Sequence, residues 1–352
     1  MADAATRDVT LVIPARDAAR TVAECLDAAI AVRDRADSRL ACVLLVDDGS
    51  RDATRAIAAE RGIEILASGG RGAGAARNAG WRAATTPFVW FVDSDCVASP
   101  DALERLLPHL EESAVGGVSG TYGIAPDATL LERLIHEEIM VRHARMGLEV
   151  DFAATFNVLY RRAVLEELAG FDERYLKGQD AEFAFRVIES GRRLRFERGS
   201  VVRHFHADRL SRYLRVQRQQ GYWRVALHLE HRGHARGDSY SGVLDHLQPF
   251  VAAALMFAAL CALVSLVPVI PGAVHLAAFD AVVVLVVLLV AMQLPMTLAM
   301  ARRAGPAMLA FAPLGAVRAV WRACGLVHGV IDRALGRGAI AARRLARRGS
   351  SA

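Results

Sequence analysis

Four short apolar runs, Val9–Ile13, Cys42–Val46, Ile63–Leu66 and Phe88–Val92, recur along the N-terminal part of the chain, with Ala-rich segments of helical period between them. This βαβα rhythm predicts a mainly parallel sheet with helices on both faces. Ligands of such sheets bind beyond the carboxyl ends of the strands. Each run stops at residues that carry chemistry: Pro14-Ala15-Arg16, Asp47-Asp48-Gly49-Ser50, the glycine loop from Gly69 to Asn78, and Asp93-Ser94-Asp95. Four successive strand ends therefore converge on one crevice.

Beyond Pro100 the pattern predicts a helix to about Glu112, a strand near Gly117–Tyr122 and an amphipathic helix from about Leu130 to Arg145. A strand over Phe152–Tyr160, helices over Arg161–Ala169 and Asp180–Ser190, and a strand pair, Arg193–Glu197 with Val201–His204, follow. A long basic helix over Ser211–His231 leads into a Gly/Ser/Asp-rich linker at Gly233–Gly242. No internal repeat is present.

The 352 residues are 53% hydrophobic, and the excess lies towards the C-terminus. Phe250–Val269 and Ala281–Ala301 lack Lys, Arg, Asp and Glu, and each has the roughly 20 residues needed to cross ~30 Å of hydrocarbon. Pro268, Pro271 and Gly272 between them predict a transmembrane hairpin, with Asp280 at its outer end. Residues 246–352 hold ten Arg against two Asp, a surplus of +8 that leaves −3 for residues 1–245. Arg302, Arg303 and the tail Arg343, Arg344, Arg347 and Arg348 then stay on the cytoplasmic side, where anionic lipid attracts them. Ala307–Ile331 contains Arg318 and Arg322 and reads as an interfacial helix. Met1–Asp8 is polar and shows no signal sequence, so the N-terminal domain is expected in the cytoplasm of a multi-pass cell-membrane protein. The basic residues lack interleaved aromatics, which argues against nucleic acid as a partner. Cys25, Cys42, Cys96, Cys261 and Cys324 lack CxxC spacing, so neither a disulfide framework nor a zinc site is expected.

Each motif also has a plainer structural reading. Asp93 and Asp95 at i and i+2 of an extended chain point the same way and can share a hard divalent cation that keeps other positions for phosphate oxygens. They also read as a polar turn before a helix. Asp47 and Asp48 can accept the imide N–H of a base such as uracil, or form a βα turn with Ser50 as helix N-cap. Gly70-x-Gly72-x-x-Ala75 nearly matches a dinucleotide fingerprint, with Asp93 where a ribose-binding acid would lie, so an NAD(P)-binding oxidoreductase is a competing reading. It follows the third strand rather than the first, and with Arg71 and Arg77 it suits any diphosphate. Asp180 serves either the dipole of its helix or as a general base. His204 and His206 alternate to one face, where either can join a metal or touch phosphate. HExxH, GxSxG and Walker A sequences are absent.

Taken in order, Val12-Ile13-Pro14-Ala15-Arg16-Asp17, Val46-Asp47-Asp48-Gly49-Ser50, Gly74-Ala75-Ala76-Arg77-Asn78-Ala79-Gly80, Phe91-Val92-Asp93-Ser94-Asp95, Gly170-Phe171-Asp172 and Gly178-Gln179-Asp180-Ala181-Glu182 resemble the family 2 glycosyltransferases. The resemblance covers about residues 8–225. It implies a GT-A fold, Rossmann-like, with Pro14, Ala15 and Arg16 lining the nucleoside pocket beside Asp47 and Asp48. Arg77 would lie near the ribose or diphosphate, Asp93 and Asp95, with His204, would hold Mg²⁺ or Mn²⁺, and Asp180 would be the catalytic base. The family usually has Glu where this chain has Gln179. Its processive synthases carry Gln-x-x-Arg-Trp, which Gln217 to Trp223 does not reproduce, so addition of one sugar is implied. The resemblance divides the chain into a catalytic domain, 1–232, a linker, 233–246, two transmembrane helices, 247–301, and an interfacial helix with a basic cytoplasmic tail, 302–352. The implied partners are a UDP- or GDP-linked sugar and a lipid-linked or glycan acceptor. An inactive sugar-nucleotide-binding scaffold is the alternative of a different class.

Overall fold

The computed structural model describes residues 7–231, 233, 238–267 and 271–337. The expected tail arginines 343, 344, 347 and 348, Pro268 of the interhelical turn, and linker residues 234–237 lie outside them. The described chain divides into two compact units.

The first unit comprises Met1–Ala128 and Arg145–His206 and holds the whole sheet. Its four leading strands are β1 (Val9–Ala15), β2 (Leu40–Asp47), β3 (Glu64–Ala67) and β4 (Phe88–Val92), connected by helices α1 (Val22–Arg33), α2 (Thr54–Glu60) and α3 (Ala73–Ala83). β2 and β4 flank β1 in parallel, and β3 lies parallel outside β2. Every residue of β1 is buried, as a central strand covered on both faces requires. Leu11 and Ile13 pack there with Leu26, Leu40, Leu45 and Trp90. α3 lies close against β1 because residue 80 is glycine: a methyl group there would run into Val12.

The remaining strands are β5 (Cys96–Ala98), β6 (Val115–Gly123), β7 (Glu149–Val150), β8 (Asn157–Arg161) and β9 (Arg193–His204), giving the order β3-β2-β1-β4-β8-β6-β9-β5, with β7 on β9. β8 runs antiparallel to both β4 and β6, and β5 and β7 run antiparallel to β9. The sheet is therefore mixed, with its parallel character concentrated in the N-terminal half.

The expected strand pair is a single strand. β9 continues from Arg193 to His204 parallel to β6, with a register shift between Ser119 and Thr121 opposite the gap between the two expected strands. Ser200 is pinned in place, its hydroxyl donating to the Ala102 carbonyl at 2.8 Å. The helix after Pro100 is shorter than expected: α4 (Ala102–Leu106) passes into a 3-10 turn, Leu107–Leu110, where Pro108 lacks the N–H that a continuing helix needs. Two further helices, α6 (Arg162–Glu167) and α7 (Gln179–Glu189), complete this unit.

The second unit comprises Thr129–Ala144 and Ala207–Gly338. It contains α5 (Leu130–His143), α8 (Leu210–Glu230), α9 (Val243–Val264), α10 (Gly272–Ala291), α11 (Leu294–Ala304) and α12 (Phe311–Ala334). A reciprocal Thr129–Glu132 capping box starts α5. α8 and α12 approach closely through glycines: side chains at Gly221, Gly325 and Gly329 would meet the backbone of Arg322, Arg218 and Tyr222. α9 and α10 begin before the apolar runs that mark them, so Asp280 lies within α10 rather than at its outer end. Three stretches are long and apolar enough to cross a membrane: Val243–Val264, Gly272–Ala304 and Pro306–Ala334. The third is the least apolar, with mean hydropathy 1.2 against 2.2 and 2.7.

Candidate active site

The loops that follow β1 and β2 are tied together before any ligand is considered. Asp17, held in a left-handed conformation (φ 49°), accepts the Arg51 amide through its carboxylate at 2.8 Å and donates its own amide to the Ser50 hydroxyl at 3.0 Å. Asp52 accepts the Ala19 amide and the Thr54 hydroxyl accepts the Ala18 amide. Ser50 is thus a loop clamp and not the N-cap of α2, a position held by Ala53.

Pro14, Ala15 and Asp47 belong to the last residues of β1 and β2. Asp47, buried, accepts the Ser50 amide at 3.1 Å and pairs with Arg55 at 3.2 Å, which makes it the organiser of its turn. Asp48 is equally buried and faces the glycine loop, accepting the Ser68 hydroxyl at 2.6 Å and the Gly72 amide at 2.9 Å. Arg16, half-exposed, reaches the same carboxylate at 3.6 Å. A dinucleotide fingerprint needs its loop amides free for phosphate, whereas the Gly72 amide here is taken by a carboxylate. That disfavours the NAD(P) reading.

Arg77 projects from α3 and is 3% exposed. One guanidinium nitrogen donates to Asp93 at 2.5 Å, while Nε and the other terminal nitrogen are buried without a hydrogen-bond partner. Buried guanidinium donors left unpaired are costly; the Asp93 pair and the Phe171 ring, 5.9 Å from the guanidinium carbon, hold Arg77 there.

Asp93 and Asp95 are not placed by strand alternation. β4 ends at Val92, and the two acids sit on a turn closed by the Cys96 amide donating to the Asp93 carbonyl at 2.9 Å. Asp93 is engaged with Arg77, whereas Asp95 lies beside β9, its carboxylate 3.5 Å from Nε2 of His204. Donor atoms of Asp95, Cys96 and His204 all lie within 4.8 Å of one another. The other ring nitrogen of His204 is hydrogen-bonded to His206 at 2.8 Å, the kind of outer contact that aims a ligating imidazole. Burial pushes the Cys96 thiol well above its ordinary range, with Asp95 and Asp93 adding to the shift, and a thiol is too soft a donor for a hard cation. The carboxylate and imidazole donors that remain fit Mn²⁺ or Mg²⁺, and Asp93 is the nearby acid that can join them.

Asp180 occupies the first turn of α7, after Gly178 in a left-handed conformation. Its side chain accepts the Ala181 amide at 2.9 Å. Burial raises its carboxyl above the usual range, opposed by that amide and by Arg77, and Asp93 raises it further. The structure thus brings Arg77, Asp93 and Asp180 into one electrostatic neighbourhood. Tyr160, whose fully buried hydroxyl has no hydrogen-bond partner, belongs to it too, since Asp180 and Arg77 both act on that phenol. Sequence reading passes over Tyr160 as a strand core residue, although a buried tyrosine hydroxyl normally finds a partner.

Arg77, the paired acids and the half-buried carboxylate of Asp180 at a helix start gather beyond the parallel strands of an α/β domain. Residues 10–169 match the sequence model of Glycosyl transferase family 2. Among relatives, the chain is 31% identical over 219 residues to the pre-mycofactocin glycosyltransferase of Mycobacterium tuberculosis, covering 58% of this chain and 44% of the relative. It is 27% identical to the O-antigen chain rhamnosyltransferase WbaN of Salmonella anatum, covering 47% and 56%. The matches span about half the length of these relatives. In fold, the chain is similar to the mannosyltransferase PcManGT of Pyrobaculum calidifontis, solved with GDP-Man and Mn²⁺, with TM-score 0.56, 17% identity and coverage of 93% of this chain and 88% of that one. The fold is GT-A, followed by apolar helices.

Proposed function

We propose that this chain transfers a single sugar from a UDP- or GDP-linked donor to a hydroxyl of a membrane-associated or glycan acceptor, with inversion and with the help of a divalent metal. The observation that carries the reading is the grouping of Arg77, Asp93 and Asp180 in one electrostatic neighbourhood, with Asp95 and His204 adjoining. The names of the relatives, all transferases of sugars, support the reaction class.

Arg16, steadied by Asp48, and the ends of β1 and β2 receive the nucleoside. Arg77 receives the diphosphate through its free donors. Asp95 and His204, with Asp93, hold Mn²⁺ or Mg²⁺, which when bound neutralises charge on the departing diphosphate. Asp180 takes the proton of the acceptor hydroxyl as that oxygen bonds to the anomeric carbon. The bond from this carbon to the diphosphate breaks on the opposite face, and its electron pair leaves with the nucleoside diphosphate. One displacement inverts the centre.

Two of the apolar stretches, Val243–Val264 and Gly272–Ala304, act as spans, and α12 lies at the interface. α12 packs along α8, which carries the exposed residues Arg212, Arg215 and Arg218. A span at that place would drag those charges into hydrocarbon. The membrane-borne helices make a lipid-linked acceptor a natural partner, and the N-terminal domain is cytoplasmic. Screening nucleotide sugars by mass spectrometry of the products tests the proposal: UDP- or GDP-sugar consumption with a matching acceptor mass gain supports it. Tight nucleotide binding without turnover of any donor would favour the inactive scaffold.

A further inference from the structure

α8 carries much of its charge on one side. Arg212, Arg215 and Arg218 are all exposed, and a spacing of three residues keeps them within about a third of the helix's circumference. Tyr213, Leu214, Gln217 and Gly221 are buried on the other side. Arg209, exposed at the N-cap position, starts the same three-residue series. The helix contains one acid, Glu230, at its far end, and no carboxylate among the described residues pairs with Arg212, Arg215 or Arg218. Like charges three residues apart on a helix repel. A face that serves only solvent usually interleaves both signs, and this one does not.

The ridge sits on a firm support. Gly325 and Gly329 of α12 leave no room for a side chain against the backbone of Arg218 and Tyr222, and the Gln217 side chain accepts from Arg322 at 2.8 Å. These contacts set the two helices level with one another. Val317 and Trp321 of α12, each 40% exposed, therefore stand at the height of the arginine stretch. Arginine and tryptophan at one level suit the zone between water and hydrocarbon, where the indole ring meets lipid and the guanidinium stays among the headgroups.

We propose that Arg212, Arg215 and Arg218 form a docking surface for the anionic phospholipid of a bilayer leaflet, with Val317 and Trp321 seated at the glycerol level. It rests on the membrane reading of the apolar helices and not on the glycosyl-transfer chemistry. The guanidiniums donate charge-assisted hydrogen bonds to phosphodiester oxygens, and each arginine near an anionic leaflet is worth about fivefold in affinity.

The test uses the full chain in detergent micelles, with lipid titrated in and its binding followed by native mass spectrometry. Phosphatidylglycerol is the probe, phosphatidylcholine the comparison without net charge, and a short RNA the competing polyanion. The chain should retain phosphatidylglycerol in preference to phosphatidylcholine, and added salt should shrink the difference. The triple variant Arg212→Gln, Arg215→Gln and Arg218→Gln should bind phosphatidylglycerol on the order of a hundredfold more weakly, three arginines at about fivefold each. Its uptake of phosphatidylcholine should be unchanged and its lipid-free thermal midpoint no lower, because the substituted side chains are exposed. Arg212→Lys, Arg215→Lys and Arg218→Lys together keep the charge and should keep the preference. Equal retention of the two lipids, a preference that survives in the Gln variant, or its loss in the Lys variant would overturn the surface. RNA bound as tightly as phosphatidylglycerol would overturn the lipid assignment. Uptake of neither lipid would overturn the membrane reading and this surface with it.

Discussion

Asp180, the proposed proton acceptor, also carries a stability penalty. Its carboxyl is raised in the folded protein, so the folded state binds that proton more tightly than the unfolded chain does. Folding stability is therefore lost as pH rises from the unfolded value, ~3.9, through the raised folded value, and the penalty persists at neutral pH. Asp180→Asn should remove it and raise the thermal midpoint at pH 7, while transfer falls roughly 10²- to 10⁴-fold, the usual worth of a general base. The acid limb of the parent's pH–rate profile should lie above the ordinary aspartate range, and a limb near 4 would argue against this role. Asp95→Asn should abolish the response to added Mn²⁺, and chelator-resistant turnover of the parent would remove the metal from the account. These candidates stand out in the sequence, but the reason for their placement does not. The i, i+2 spacing of Asp93 and Asp95 suggests strand alternation, whereas a turn directs one acid to Arg77 and the other to His204. Sequence shows the spacing of two acids; that Asp95 meets His204 depends on β9, more than a hundred residues away.

Elements with strong local signals were read correctly. β4 occupies Phe88–Val92 as expected, and α5, α7 and α8 begin within one residue of their expected starts. The misreadings occurred where long-range pairing overrode a local signal. Arg193–Glu197 and Val201–His204 read as two strands, yet pairing with β6 joins them into one across a register shift. β5 and β7 are too short to show a period. The α8–α12 contact was likewise invisible, because its glycines have meaning only in pairs: Gly325 opposes the Arg218 backbone and Gly221 that of Arg322. Gly325→Leu should push the helices apart and destabilise the second unit by about 1–3 kcal/mol, the usual cost of overpacking. Unfolding of the purified chain in detergent would measure this, and an unchanged midpoint would show that the contact is not tight. Glycine at an open position, such as Gly233, makes no comparable demand.

For the whole molecule, the charge asymmetry between the N-terminal part and the arginine-rich C-terminal part predicts how the chain is oriented. A cysteine placed at Gly272 in a background lacking the five native cysteines should react with an impermeant reagent added outside the cell, and one at Gly336 should not. The opposite pattern would overturn the orientation, and labelling of both would make α12 a third span. Composition made the presence of apolar helices plain, but not their limits, since α9 starts at Val243, before its apolar run, and α10 runs through Asp280. The account as a whole turns on whether the crevice moves a sugar. The most direct measurement is nucleoside-diphosphate release from UDP- and GDP-sugars by the full chain with Mn²⁺ and a lipid-linked or glycan acceptor, run beside Asp180→Asn with donor binding measured for both. The account predicts release by the parent, its loss in the variant, and nearly equal donor affinity. Near-normal release by the variant, or donor binding without release by the parent, would contradict it.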